Sequence, residues 1–377
     1  MRKIQMVDLQ TQYQKIKPQV DEAMNRVVDS AAFINGPEVK SFQAELEDYL
    51  AVQHVIPCAN GTDALQIAMM GLGLKPGDEV ITATFTYVAT AEVIALLQLK
   101  PVLVDVDPET YTLDPEKVRE AVTPRTKAIV PVHLFGQCAD MDALRAIARE
   151  HHLHIVEDTA QAIGADFYAR NGEVGKAGTL GDVGATSFFP SKNLGCYGDG
   201  GALFTNDDEL AAKIRMVANH GQSRRYYHDR VGVNSRLDSL QAAVLRQKLP
   251  HLDAYNAARR KAADFYDQAL GDLPQLQTPV RSSLSSHVFH QYTLRIKDET
   301  INRDELIAYL KEKEIPAMIY YPVALHMQKA YRDERYDPGH FPVTERLVDT
   351  VFSLPMHTEL SQDQQAYITE TIINYLK

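Results

Sequence analysis

The chain has 377 residues, 45% hydrophobic and 24% charged, an ordinary globular composition with room for a large and a small domain. Its net charge of −11 argues against general nucleic-acid binding, which wants a basic face. Cys58, Cys138 and Cys196 make neither an even disulfide framework nor a zinc spacing. With no secretion-signal core near Met1 and no apolar run of about 18 residues, a cytoplasmic, non-membrane protein without metal is expected.

In chain order, Ile16, Val20, Met24, Val27 and Val28 predict a helix over 12–30, and a loop follows at Phe33–Pro37. A second amphipathic helix is expected over 38–51. Strands and helices then alternate: strand His54–Pro57, a helix opened by Gly61-Thr62, strand Glu79–Ala83, helix Thr86–Leu97, strands Pro101–Val106 and Ala128–Val132. A helix over 140–151 leads to strands His154–Asp158, Ala185–Phe189 and Gly201–Thr205. Such alternation implies an α/β fold with a mostly parallel sheet covered on both faces, and ligands on such sheets sit at the carboxyl ends of strands. Long helices are expected over 236–270. Beyond about 275 the pattern changes to an alternating strand His290–Ile296, a helix Asn302–Lys313, a strand Ile315–Tyr321 and a final helix over 361–376. This reads as a large domain over 1–250 and a smaller α+β domain over 251–377, with the N-terminal arm 1–14 packed on the latter.

Three elements at strand ends carry chemistry. In Ser187-Phe188-Phe189-Pro190-Ser191-Lys192, a lysine sits between a strand and the glycine-dense turn Asn193–Gly201. Shielded by apolar neighbours, its amine deprotonates more easily than a solvated one and can attack an aldehyde, the requirement for a Schiff base with pyridoxal phosphate (PLP). A lysine alone in such a loop is ordinarily a solvated surface residue. Upstream, Ile155-Val156-Glu157-Asp158 ends a strand in a carboxylate, the partner that a pyridinium nitrogen needs. Gly61-Thr62 opens a helix whose free N–H groups could bind phosphate, or could simply be capped by Thr62 or Asp63. The pairing of the three gives them weight that none has alone.

Arg224, Arg225, Arg230 and Arg236 form a basic stretch in an acidic chain, suited to an anionic substrate such as a sugar nucleotide or to plain solvation. His151, His152 and His154 lack ligand-spaced partners and read as surface histidines. Gly178–Gly184 is not Gly-x-Gly-x-x-Gly and opens no helix, so a dinucleotide site is not expected there.

Over nearly its whole length the chain resembles the DegT/DnrJ/EryC1/StrS family of PLP-dependent nucleotide-sugar aminotransferases. The resemblance rests on Asn60–Leu65, Thr84–Thr90, His133–Gly136, Glu157–Gln161, Ser187–Lys192 and Gly232–Asp238 in that order. It implies a fold type I, aspartate aminotransferase-like homodimer with shared active sites. By this resemblance Lys192 forms the Schiff base and later moves a proton, Asp158 pairs with the pyridinium nitrogen, Gln161 approaches the ring's phenolic oxygen and Tyr87 stacks on the ring. Gly61, Thr62, Asp63 and Ser187 hold the phosphate, and Asn234 reaches it from the other subunit. The implied substrates are L-glutamate, which leaves pyridoxamine phosphate behind, and a keto sugar nucleotide. Within the family, 186–208 and 230–237 look most like enzymes that aminate UDP-2-acetamido-2-deoxy-3-oxo-glucuronate for surface polysaccharides, with Arg236 on the uronate carboxylate. A dTDP-linked 3- or 4-keto-deoxysugar is the alternative. The uronate branch tends to carry His-Tyr-Pro where this chain has Tyr320-Tyr321-Pro322, which leaves Tyr320 and His326 as candidate sugar contacts. Sugar dehydratases of the family carry histidine in place of the lysine, so Lys192 argues against that activity. A non-catalytic regulatory protein of the same fold would need no Schiff-base lysine.

Overall fold

A computed structural model describes residues 2–377. Helices α1 (Leu9–Ser30) and α2 (Pro37–Leu50) lead into β1 (His54–Cys58), α3 (Gly61–Leu72), β2 (Glu79–Ala83), α4 (Ala89–Leu96) and β3 (Lys100–Val104). There follow α5 (Pro115–Ala121), β4 (Thr126–Val130), α6 (Met141–His151), β5 (His154–Asp158), the hairpin β6 (Asp166–Tyr168) and β7 (Val174–Lys176), β8 (Val183–Ser187) and β9 (Gly201–Thr205). Their seven-stranded sheet has the order β1-β9-β8-β5-β4-β2-β3. The β8–β5, β5–β4, β4–β2 and β2–β3 pairs are parallel, while β9 runs antiparallel to both neighbours. Every residue of β2 and β9 is buried, as helices on both faces require, which is why these strands read as apolar runs without alternation. The parallel strands β2, β5 and β8 therefore deliver Thr84–Tyr87, Asp158 and Ser187 to one edge of the sheet.

The chain continues through α7 (Asp208–Ala218), the small hairpin β10 (Gln222–Arg224) and β11 (Tyr227–His228), α8 (Ser239–Lys248) and α9 (Leu252–Leu270). Then come β12 (Leu276–Gln277), β13 (Tyr292–Ile296), α10 (Arg303–Glu312), α11 (Pro342–Thr350), β14 (Val351–Leu354) and α12 (Gln362–Leu376). Strands β12, β13 and β14 form an antiparallel sheet. A core of Tyr266, Leu270, Tyr292, Leu294, Leu306, Phe352 and Ile368 covers it, and Ile4 of the N-terminal arm packs into that core. Leu252 packs instead with α2 and α8, so α9 begins in one core and ends in the other.

Helix starts follow from local chemistry. Side chains of Asp8, Asn60, Asp114, Asp140, Asp207, Asn302 and Ser361 each accept a first-turn N–H. Three expectations need correction. The helix expected from Thr86 begins at Ala89. The strand expected over 185–189 ends at Ser187, because Phe188 leaves the sheet to pack against Phe42. Ile315–Tyr321 forms no strand: Met318 alone pairs with Ser353, and the chain then turns toward the large sheet.

Candidate active site

Lys192 stands in a turn braced from several sides. Phe188 donates its N–H to Gly200 O at 2.7 Å and receives Cys196 N–H at 2.8 Å. Lys192 N–H returns to Phe189 O at 2.8 Å. Asn193 Nδ2 donates to Asn256 Oδ1 (2.7 Å) and Val288 O (2.9 Å), and the buried Lys248 ammonium donates to Gly195 O (2.6 Å). The turn is thus fixed by groups other than the Lys192 amine. Burial lowers the pKa of Lys192 to about 8, opposed by the Asp158 carboxylate. A substantial fraction of the amine is therefore neutral near pH 7–8, as a nucleophile or general base must be.

Asp158 ends β5 and is buried. Burial pushes its pKa up, while Ala160 N–H (3.1 Å to Oδ1), the Thr90 hydroxyl (2.9 Å to Oδ2) and Lys192 hold it down. Thr90, in the first turn of α4, is fully buried and aims the carboxylate. Successive strand residues face opposite sides, so Glu157 points into the other layer. There its carboxylate accepts the N–H groups of Gly178 (2.9 Å), Leu180 (2.6 Å) and Gly181 (2.6 Å) and bonds His133 Nε2 (2.9 Å). The glycine-rich 178–184 segment wraps this anion. Thr90→Val is expected to free the Asp158 side chain and raise its pKa further. Loss of a hydrogen bond to a charged group, about 1.5–3 kcal/mol, should weaken PLP binding by about tenfold or more, measurable by equilibrium dialysis.

The helix α3 N-terminus lies beside Ser187. Asn60 caps it, accepting the Asp63 N–H at 2.8 Å, so the cap is neither Thr62 nor Asp63, and the Asp63 amide is already used. The N–H groups of Gly61 and Thr62 precede the helix's first i→i−4 bond, which Ala64 N–H makes to Asn60 O. A Cβ added at Gly61 would stand 2.7 Å from Ser187 Cβ, and one at Gly201 would stand 2.5 Å from Asn60 C. The close approach of strand end to helix end needs both glycines. Ser235 Oγ accepts Ala59 N–H at 3.0 Å from the other side.

Gln161 follows β5; its Oε1 accepts Phe135 N–H (2.8 Å) and its Nε2 donates to Tyr321 OH (3.0 Å). Tyr87, 58% exposed, presents a ring 6.1 Å from Tyr321 and free to stack. Tyr320 is partly buried and packs edgewise on Tyr321. His326 is placed otherwise than a sugar contact requires. It is buried, Nδ1 bonds Thr84 Oγ1 (2.9 Å) and Nε2 bonds Glu345 Oε1 (3.2 Å), so both ring nitrogens are engaged within the fold. Asn234 is exposed, in a single bridge with Asn219. Arg236 is partly buried and pairs with no carboxylate among the described residues. Arg224 lies 3.7 Å from the Tyr227 ring on an exposed hairpin.

These residues suit PLP. The glycine cradle would take a phosphate, the buried Asp158 a ring N–H, and Lys192, with its lowered pKa, an aldehyde. Sequence reading singled out Lys192, Asp158 and Gly61 because each is announced by its own strand end or turn. It did not single out Thr90 or assign Tyr321 a role, although both lie within motifs that stood out.

The family model of DegT/DnrJ/EryC1/StrS aminotransferases matches residues 14–373. A UDP-2-acetamido-2-deoxy-3-oxo-D-glucuronate aminotransferase of Pseudomonas aeruginosa is 48% identical over 98% of this chain and 100% of its own. A pleiotropic regulatory protein of Geobacillus stearothermophilus is 47% identical over 99% of both chains. A dTDP-3-amino-3,4,6-trideoxy-alpha-D-glucose transaminase of Streptomyces venezuelae is 42% identical over 98% of this chain and 95% of its own. The crystal structure of S. venezuelae DesV with a ketimine intermediate superposes with a TM-score of 0.95 at 40% identity, covering 100% of this chain and 99% of that one. The chain belongs to the DegT/DnrJ/EryC1/StrS aminotransferase family, and its cofactor is pyridoxal phosphate.

Proposed function

We propose that this enzyme moves the amino group of L-glutamate to UDP-2-acetamido-2-deoxy-3-oxo-glucuronate, in the synthesis of a surface polysaccharide such as lipopolysaccharide. The carrying observation is Lys192, five residues beyond the Ser187 that packs on the Gly61 cradle, with a pKa lowered to about 8 and a charge interaction with the buried Asp158. The choice of sugar is supported by the Pseudomonas aeruginosa relative and by Arg236, a partly buried guanidinium without a carboxylate partner that suits a uronate.

Bound PLP supplies a reactive aldehyde and an electron-withdrawing pyridinium. Asp158, whose carboxylate Thr90 and Ala160 N–H favour against the effect of burial, would hold that ring nitrogen protonated. Gly61 and Thr62 N–H groups and the Ser187 hydroxyl hold the phosphate. Tyr87 covers one ring face, which orients the ring and excludes water. Neutral Lys192 Nζ would accept the α-carbon proton of glutamate; water then supplies the keto oxygen of 2-oxoglutarate, and the amino nitrogen stays with the cofactor for the second half. In the second half, Lys192 returns a proton to the sugar carbon that gains the amine. Asn234, exposed on its loop, is suited to complete the phosphate site of a second subunit, so the working unit is a homodimer.

The 42%-identical Streptomyces venezuelae relative favours the second reading, a dTDP-linked keto-deoxysugar. One experiment separates the two. Amino sugar nucleotides are added singly to the PLP-loaded enzyme, and the cofactor's visible band is followed. Selective loss of the band with a UDP-2-acetamido-3-amino uronate is expected. Loss with dTDP-linked amino sugars alone overturns the uronate assignment, and no response to glutamate would favour a regulatory binder.

A further inference from the structure

We propose that Tyr321 is a positioning residue for the cofactor ring, acting through the side-chain amide of Gln161. The inference rests on the reading of Gln161 as the partner of the ring's phenolic oxygen.

An amide side chain can present oxygen or nitrogen to a given neighbour, and its bonding partners decide which. Here both ends are decided. The Phe135 backbone N–H can only donate, so the group facing it at 2.8 Å is Oε1. Nε2 therefore faces the Tyr321 hydroxyl at 3.0 Å and donates to it. One amide hydrogen is spent on Tyr321, and the other is left for the cofactor. Without the Tyr321 hydroxyl, only the Phe135 bond restrains the amide, which can then swing about it.

The phenol is kept in the form this role needs. Burial raises the pKa of Tyr321, Gln161 works against that, and Asp158, Tyr320 and Tyr87 add to it. The hydroxyl thus stays protonated through the working pH range. The ring is fixed by edgewise packing on Phe85 (6.2 Å, 72°) and Tyr320 (6.0 Å, 68°) and by a tilted contact with Tyr87 (6.1 Å, 44°).

The two anchors come from different parts of the chain. Phe135 lies in the turn after β4, and its neighbour Gly136 accepts Val288 N–H at 2.8 Å. Tyr321 lies three residues beyond Met318, which exchanges backbone hydrogen bonds with Ser353 of β14 (3.1 and 2.7 Å). The orientation of the Gln161 amide therefore depends on where the small antiparallel sheet holds the 318–321 segment. A displacement of that sheet would be felt at the cofactor through this one hydrogen bond.

The test compares Tyr321→Phe, which removes the hydroxyl and keeps the ring, with Gln161→Ala and the double variant, all loaded with PLP. The pH midpoint of the visible band that Lys192 gives with the cofactor should shift by about one unit in Tyr321→Phe. Turnover should fall by about tenfold with KM for the sugar nucleotide unchanged. In the Gln161→Ala background the Tyr321→Phe change should add little, since the intermediary is gone. An unmoved midpoint, or effects that simply add, would overturn the proposal and leave Tyr321 a packing residue. A wild-type protein lacking any Lys192-dependent band would overturn the reading of the site itself, and this proposal with it.

Discussion

Replacing Lys192 with alanine is expected to abolish turnover and leave the fold intact. In the proposed reaction the side chain has two tasks, nucleophile and proton carrier, and general acid–base catalysis alone contributes about 10²–10⁴-fold. No other residue described here can take over. Lys248, buried and likewise with a pKa lowered to about 8, spends its ammonium on Gly195 O behind the turn, 5.1 Å from the Tyr197 ring. The fold should persist because Asn193, Lys248 and the backbone bonds of Phe188 and Phe189 hold the turn without the Lys192 amine. Circular dichroism melting should match the wild type, while amino transfer from glutamate, followed by 2-oxoglutarate release, should drop below detection. Turnover within tenfold of wild type would remove Lys192 from the mechanism.

The second large effect is expected at Asp158. Asp158→Asn keeps the size and an oxygen for Ala160 N–H but removes the charge. Two consequences have the same direction. The ring nitrogen loses the anion that keeps it protonated, so the electron demand that acidifies the α-carbon weakens. Lys192 loses the carboxylate that opposes its burial, so its pKa falls further below about 8 and the amine becomes a weaker base. Removal of a preorganised electrostatic partner in a buried site costs about 10²–10³-fold in kcat. PLP should bind more weakly, at least as much so as in Thr90→Val, but should still load at saturating cofactor, because the cradle at Gly61, Thr62 and Ser187 is untouched. Steady-state kinetics and cofactor retention, measured on the same preparation, check both statements. A kcat within tenfold of wild type would mean that another group serves the ring nitrogen.

The family site is built largely from backbone geometry, with few side chains carrying the chemistry. A phosphate cradle asks for glycines where a strand end meets a helix end, and it tolerates many sugars. Discrimination among sugars would fall to residues outside it, such as Arg236, in a segment that looks like the uronate branch, and Tyr320, where this chain departs from that branch. That division explains why UDP- and dTDP-sugar enzymes resemble this chain at 48% and 42% identity.

The alternation of strands and helices, the parallel sheet and the placement of Lys192, Asp158 and Gly61 were all legible in the chain itself. Each is signalled within a few residues: an apolar run buried on both faces, a carboxylate at its end, a glycine where a helix begins. Local signals failed where apolar residues serve something other than a strand, as at Phe188 beyond β8 and in the 315–321 segment. They failed too for the short elements α5, α7, α11 and β14 and the two small hairpins, none of which was read from the sequence. Only the tertiary structure decided what aims the catalytic groups. Thr90 meets Asp158 across 68 residues, and Tyr321 meets Gln161 across 160. A hydroxyl in sequence carries no mark of the carboxylate or amide it will serve, because that partner is chosen by the order of strands in the sheet and by the return of the 318–321 segment toward it. The same holds for His326, a candidate sugar contact in the sequence, whose two ring nitrogens the fold brings to Thr84 and Glu345.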